Sequence, residues 1–168
     1  MQISSSEYHS FYQRYIDNAA VFLKSNQFED SLQLALDFYR SIPSSKWNYK
    51  YVKDKWSVAD ILLHINDTER IMSYRALRIS RGDKTPIAGF EQDEYVVSAE
   101  ENMRTPKSLI DEFKSIRLAS CSLFESFTDE SLNQVGVASG VDISVRALKA
   151  IIIGHQIHHN QTIKERYL

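Results

Sequence analysis

Three observations predict an all-α fold, a four-helix bundle. Glycine (5) and proline (3) are scarce over 168 residues, so little interrupts regular structure. Four stretches repeat apolar residues three and four apart, the helical period. The connections between them mix short and long, as bundles allow.

The first predicted helix is "EDSLQLALDFYRSI", Glu29 to Ile42. Leu32, Leu36 and Tyr39 recur on one face, and Pro43 ends the run because it cannot donate to a helix. A shorter amphipathic piece, "EYHSFYQRYI", precedes it. The second helix opens at Ser57, an N-cap with Asp60 three residues on. Ile61, His64, Ile65, Thr68, Met72 and Arg75 fall near one another on its wheel. Gly82 ends it, and Arg78 and Arg81 suit the negative end of its dipole. A long link follows, "DKTPIAGFEQDEYVVSAEENMR", with a helical turn or two expected around Gln92 to Glu100. The third helix starts with Thr105 as cap and Pro106 in the first turn. Leu109, Ile110, Phe113, Ile116, Leu123, Phe124 and Phe127 form its apolar stripe. "TDESLNQVGVASGVDIS" reads as a connector, with Gly136 and Gly140 allowing turns. The fourth helix runs from Ser144 to the C-terminus.

A chain of this length fits one domain, residues 1–168, with a core that needs no staples. The net charge of −2 gives no electrostatic case for nucleic acid or a membrane surface. The tyrosines are spread out and form no stacking platform. The apolar run "ALKAIIIG" is too short to cross a bilayer, and the first residues lack a signal-peptide core. Cys121 is the single cysteine, which favours a reducing compartment. The expected location is cytoplasmic.

Three of the five histidines sit in "GHQIHHNQ", Gly154 to Gln161. His155 and His159 are four apart, so they share a helix face and can reach one ion. His64 lies mid-helix among Leu62, Leu63 and Ile65, where an imidazole is costly unless paired or metal-bound. Two readings stand for these three: a three-ligand open centre, or ordinary histidines satisfied in a core or on a wet face. His158, next to His159, is a surface residue, a partner of a ligand or a substrate contact. His9 lies in a polar stretch with no special role.

The segments "SIPSSKWNY", Lys55 to Val97 and Ser144 to Leu168 together resemble the DinB/YfiT-like superfamily of metalloenzymes. The specific part is a histidine seven residues after Ser57, then HxxxH in the last helix. The resemblance covers most of the chain. It implies a bundle in up-down-down-up order, with the long link between the second and third helices. It implies His64, His155 and His159 as metal ligands. Many relatives follow the second histidine of the pair with a glycine-glutamine step, where this chain has Asn160, Gln161 and Thr162.

Around such a centre, Asp67 is a candidate catalytic residue, three after His64, either as a base or as acceptor from a ligand ring. Its other reading is a solvated acid. Glu69 and Arg70 are expected to face away or pair across helices. Arg75 and Arg78 are either solvated or contacts for an anionic substrate. "PIAGFEQDEYV" is the expected lid or substrate wall, with Phe90 packing and the roles of Asp93 and Tyr95 open. Trp47 and Trp56 are expected to plug one end of the bundle, and Cys121 to be buried.

The resemblance implies a metal-dependent enzyme acting on a small molecule. That enzyme is a thiol S-transferase or a related hydrolase using a low-molecular-weight thiol such as bacillithiol, mycothiol or glutathione. The divalent ion expected is zinc or nickel, with iron or manganese also suited to imidazole. Relatives often form dimers, so a homodimer is expected. The alternative is a non-catalytic metal-binding or stress-induced bundle with an unknown ligand.

Overall fold

The computed structural model describes residues 3–23, 28–99 and 104–168. Short 3-10 turns at Ser5–Glu7 and Ser10–Tyr12 lead into α1 (Gln13–Leu23) and α2 (Phe28–Ser41). α3 (Val58–Ser80), α4 (Gln92–Ala99), α5 (Pro106–Glu125) and α6 (Asp129–Asn133) follow. A hairpin of β1 (Val135–Ala138) and β2 (Val141–Ser144) then leads into α7 (Val145–Arg166). The bundle consists of α2, α3, α5 and α7. Among the described residues no helix is long and apolar enough to cross a membrane.

Capping fixes where the bundle helices begin. The Ser57 hydroxyl accepts from the Asp60 N–H at 3.2 Å, and the Asp60 carboxylate accepts from the Ser57 N–H at 2.8 Å. This reciprocal pair satisfies two donors that the first turn would leave bare. Thr105 caps α5 at the Ser108 N–H, and Ser144 caps α7 at the Ala147 N–H.

Side-chain contacts give each helix its direction. Phe28 meets Phe124 and Tyr39 meets Phe113, so α2 and α5 run antiparallel. Asn66 donates to the Leu109 carbonyl and Ser73 meets Ser120, so α3 and α5 run parallel. His64 meets His155, and the Tyr167 hydroxyl donates to the Trp56 carbonyl just before α3, so α3 and α7 oppose. The order is therefore up-down-down-up, with the long link between α3 and α5.

Two apolar clusters fill the bundle. One holds Met72, Ile79, Phe124, Leu148 and Ile152. The other holds Leu36, Trp47, Leu62, Phe113 and Ile163. A layer of buried polar groups lies between them. On one side, Arg117 donates to Glu69 from Nε at 2.8 Å and from Nη2 at 2.9 Å, and to Ser31 from Nη1 at 2.7 Å. On the other side stand His64, Thr68 and His155. Buried polar groups must find partners, and the two halves of the layer do so differently.

Three elements depart from the sequence reading. The amphipathic piece near the N-terminus continues as α1 to Leu23, because Ile16 and Ala19 bury against α7. The expected turns around Gln92 form α4 through Ala99, while Glu100 lies outside the described residues. The connector after α5 holds α6 and the hairpin, with Gly136 inside β1 rather than in a turn. Ser139 and Gly140 make the turn, both at positive φ (53° and 79°), as a tight two-residue hairpin requires. Ile87 of the long link pairs with this hairpin through Val137 and Ser139.

Candidate metal centre

The site is built on facing stripes of α3 and α7. His64, Thr68, Met72 and Arg75 recur at helical spacing along one face of α3 and line a cavity of about 470 Å³. His155, His158 and His159 of α7 line the same cavity. Tyr12 and Tyr15 close one side, Phe90 and Asp93 of the link another, and Ser139 of the hairpin turn the end beyond Arg75. A second cavity, of about 630 Å³, shares Asp93, His158 and His159 and is fringed by Lys53 and Lys55. Volumes of this order suit small molecules.

Three imidazoles converge between the helices. Nε2 of His155 lies 2.9 Å from Nε2 of His64 and 3.0 Å from Nε2 of His159. One ligand atom from each falls within 4.8 Å of the others. His64 and His155 are buried, at 4% and 6% exposure, and His159 is partly buried. The Trp56 ring packs on His64 with centroids 4.7 Å apart, and Tyr15 meets His155 edge-on at 5.3 Å. The Thr68 hydroxyl lies 3.5 Å from Nδ1 of His64, at the long limit of a hydrogen bond. It faces the nitrogen turned away from the cluster.

The environment keeps these rings uncharged. Burial lowers the pKa of His64 to about 4 and that of His159 to about 3, with neighbouring imidazoles adding to the shift at His159. Burial, then the same neighbours, holds His155 well below the usual histidine range. A neutral imidazole has one N–H and one lone pair. Nε2 of His155 therefore offers a single proton or a single lone pair to two close nitrogens, and it can serve only one well.

A cation relieves that conflict, because it accepts a lone pair from all three rings. Imidazole ligands stand about 2.0–2.1 Å from such an ion, so two bound at right angles lie about 3 Å apart. The 2.9 and 3.0 Å spacings at His155 fit that donor set.

The other anticipated residues fall as follows. Asp67 pairs with Arg70 at 3.6 Å and does not line either cavity beside the histidines; burial raises its pKa. Glu69 pairs across helices with Arg117. Arg78 pairs with Asp83 on the surface. Asp93 lines both cavities, whereas exposed Tyr95 packs on Phe90. His158 lines both cavities, and its buried Nδ1 has no partner. His9 caps the second 3-10 turn. Trp47 is buried with α3 and α7, and Trp56 sits against the cluster. Cys121 is buried, with a pKa raised to about 11 by desolvation.

Sequence reasoning missed Tyr15 and Ser139. Tyr15 had one signal, a glycine in mid-helix at Gly154. A Cβ there would stand 1.7 Å from the Tyr15 carbonyl oxygen. Glycine is what lets α1 lie directly on α7 beside His155.

Comparison with known proteins agrees with this architecture. A family model described as "DinB superfamily" matches residues 27–163. A curated protein of Oceanobacillus iheyensis named "Putative metal-dependent hydrolase" is 26% identical over 126 residues, 74% of this chain and 72% of its own. The structure of YfiT from Bacillus subtilis superposes with a TM-score of 0.71 at 13% identity. It covers 98% of this chain and 90% of that one, and it is described as "a probable metal-dependent hydrolase with an unusual four-helix bundle topology". At that identity the likeness speaks to the fold.

Proposed function

The chain belongs to the DinB superfamily, and on that premise we propose that it is a metal-dependent enzyme in which His64, His155 and His159 hold one divalent ion. The observation that carries this is the convergence of three neutral imidazoles, two buried and one partly buried, whose Nε2 atoms stand 2.9 and 3.0 Å apart around His155. When bound, the ion supplies Lewis acidity and a water whose pKa falls toward neutrality. Zinc and nickel suit the all-nitrogen set, and iron and manganese remain compatible.

The rest of the work belongs to the chain. Thr68 faces the rear nitrogen of His64, and Trp56 and Tyr15 brace two of the rings, so the ligand lone pairs stay aimed inward. The aromatic walls thin the water around the reacting group. Asp93, exposed where the two cavities meet, is positioned to exchange a proton with solvent. Asp67, turned to Arg70, acts at most on the placement of α3.

Hydrolysis of a small molecule is the first reading, in keeping with the names of the two similar proteins. Thiol transfer is the second. Three neutral ligands leave the full charge of a divalent ion uncompensated, and a thiolate is stabilised there as readily as hydroxide. Zinc-loaded protein assayed on small esters, amides and thiol adducts, with and without added thiol, separates the two. Turnover without thiol, lost in His155→Ala, is expected for a hydrolase. Turnover that requires the thiol establishes the transferase. Equal turnover in wild type and His155→Ala would overturn the assignment of this site.

A further inference from the structure

Two arginines are almost fully buried in the described structure, Arg75 and Arg117, at 1% and 0% exposure. They differ in one respect. Arg117 is neutralised by Glu69, whereas Arg75 has no carboxylate within ion-pair reach among the described residues. Its Nη2 donates to the Ala88 carbonyl at 3.0 Å and to the Ser139 hydroxyl at 2.8 Å. Nη1 reaches the sulfur of Met72, at 3.7 Å, a weak acceptor. Nε is buried with no partner. The Tyr12 hydroxyl is a further side-chain hydrogen-bond partner of the guanidinium, and the Phe90 ring stands 5.8 Å from the guanidinium carbon.

A buried cation without a counter-charge is costly. Here the unpaired guanidinium lines the same cavity as the histidines. Side chains on a helix lean toward its N-terminus, and the Met72 contact shows Arg75 doing so, toward His64. Met72 and His64 are eight residues, a little over two turns, apart, roughly 12 Å along the axis. Glu91 and Asp93 also line the cavity but are exposed at its rim and do not reach Arg75.

We propose that Arg75 is the anion-binding residue of this cavity, and that the substrate carries a carboxylate which seats on Arg75 while its reacting end lies at His64, His155 and His159. This rests on the metal-site reading above and narrows the substrate class to small carboxylates some two helical turns in length. Arg75 also ties the link to the hairpin turn, so a test must separate anion binding from that structural role.

Calorimetric titration of the zinc-loaded protein with mercaptohexanoate and with the neutral mercaptohexanol does so. The two share a metal-seeking thiol and a chain of suitable reach, and they differ only in charge. Wild type should bind the carboxylate about tenfold more tightly. Arg75→Met should abolish that preference. Ser139→Asp keeps the guanidinium but sets a carboxylate where an oxygen now stands 2.8 Å from Nη2; Asp tolerates positive φ. It too should remove the preference, and Ser139→Asn should retain it.

Equal binding of the two thiols to wild type, or no binding of either while zinc is held, would overturn the anion site and leave the metal reading standing. So would a preference that survives Arg75→Met or Ser139→Asp. Failure to take up zinc at all would remove the metal reading and this inference with it.

Discussion

At His64, His155 and His159 the surroundings act against charge. Desolvation lowers His64 to about 4 and His159 to about 3, and lowers His155 as well. In the unfolded chain the same rings protonate near 6.5. Below that value the unfolded state binds protons that the folded state refuses, so stability falls as pH falls. Above about pH 8 neither state is appreciably protonated at these rings and the dependence vanishes. We predict that metal-free protein loses thermal stability from about pH 6.5 to 5, by up to about 1.4 kcal/mol per pH unit for each ring. That window lies above the range where paired carboxylates such as Glu112 and Asp83, whose pKa values are lowered, begin to contribute. Melting curves that stay flat over it would contradict the burial of the cluster. Replacing His64 with glutamine should shallow the slope.

Among the elements, α1 and α7 carry the clearest constraint. α1 lies on α7 with the Tyr15 carbonyl over Gly154, and Asn18 donates to the Gly154 carbonyl at 3.4 Å. In an isolated helix, glycine to alanine stabilises by about 1 kcal/mol. Here the added Cβ would stand 1.7 Å from backbone, so the sign should reverse. Gly154→Ala is predicted to cost about 1–3 kcal/mol by overpacking, measured by chemical denaturation. Hydrogen exchange in α1 should accelerate, since that helix must lift. A stabilised variant would mean that α1 does not sit there. The caps at Ser57 and Thr105 were readable because they depend on residues three apart in sequence. α1 was half-readable, since its burial depends on a helix more than a hundred residues away. The hairpin was not read because "VGVASGVDIS" is short, and only the Ser139–Gly140 turn and the pairing with Ile87 hold it in place.

The whole molecule places a layer of buried polar groups between two apolar clusters. One half of that layer is closed on itself, through Arg117, Glu69 and Ser31. The other half, with the imidazoles, is left open to a cavity that Arg75 also lines. The helix order came from the resemblance; helical spacing left the grouping of His64 with the HxxxH pair as one of two readings, and the resemblance implied it. The burial of Arg75 was not, because it needs Ala88 and Ser139, 13 and 64 residues away, to fold over one face of α3. Because the clusters are apolar on both sides of the layer, the fold should stand without metal while the site does not. Elemental analysis of untagged wild type and His155→Ala, after dialysis against zinc, tests this most directly. About one ion per chain in wild type, lost in the variant with its helical circular dichroism unchanged, is the predicted result. Wild type that holds no zinc, or a variant that holds as much, would contradict it.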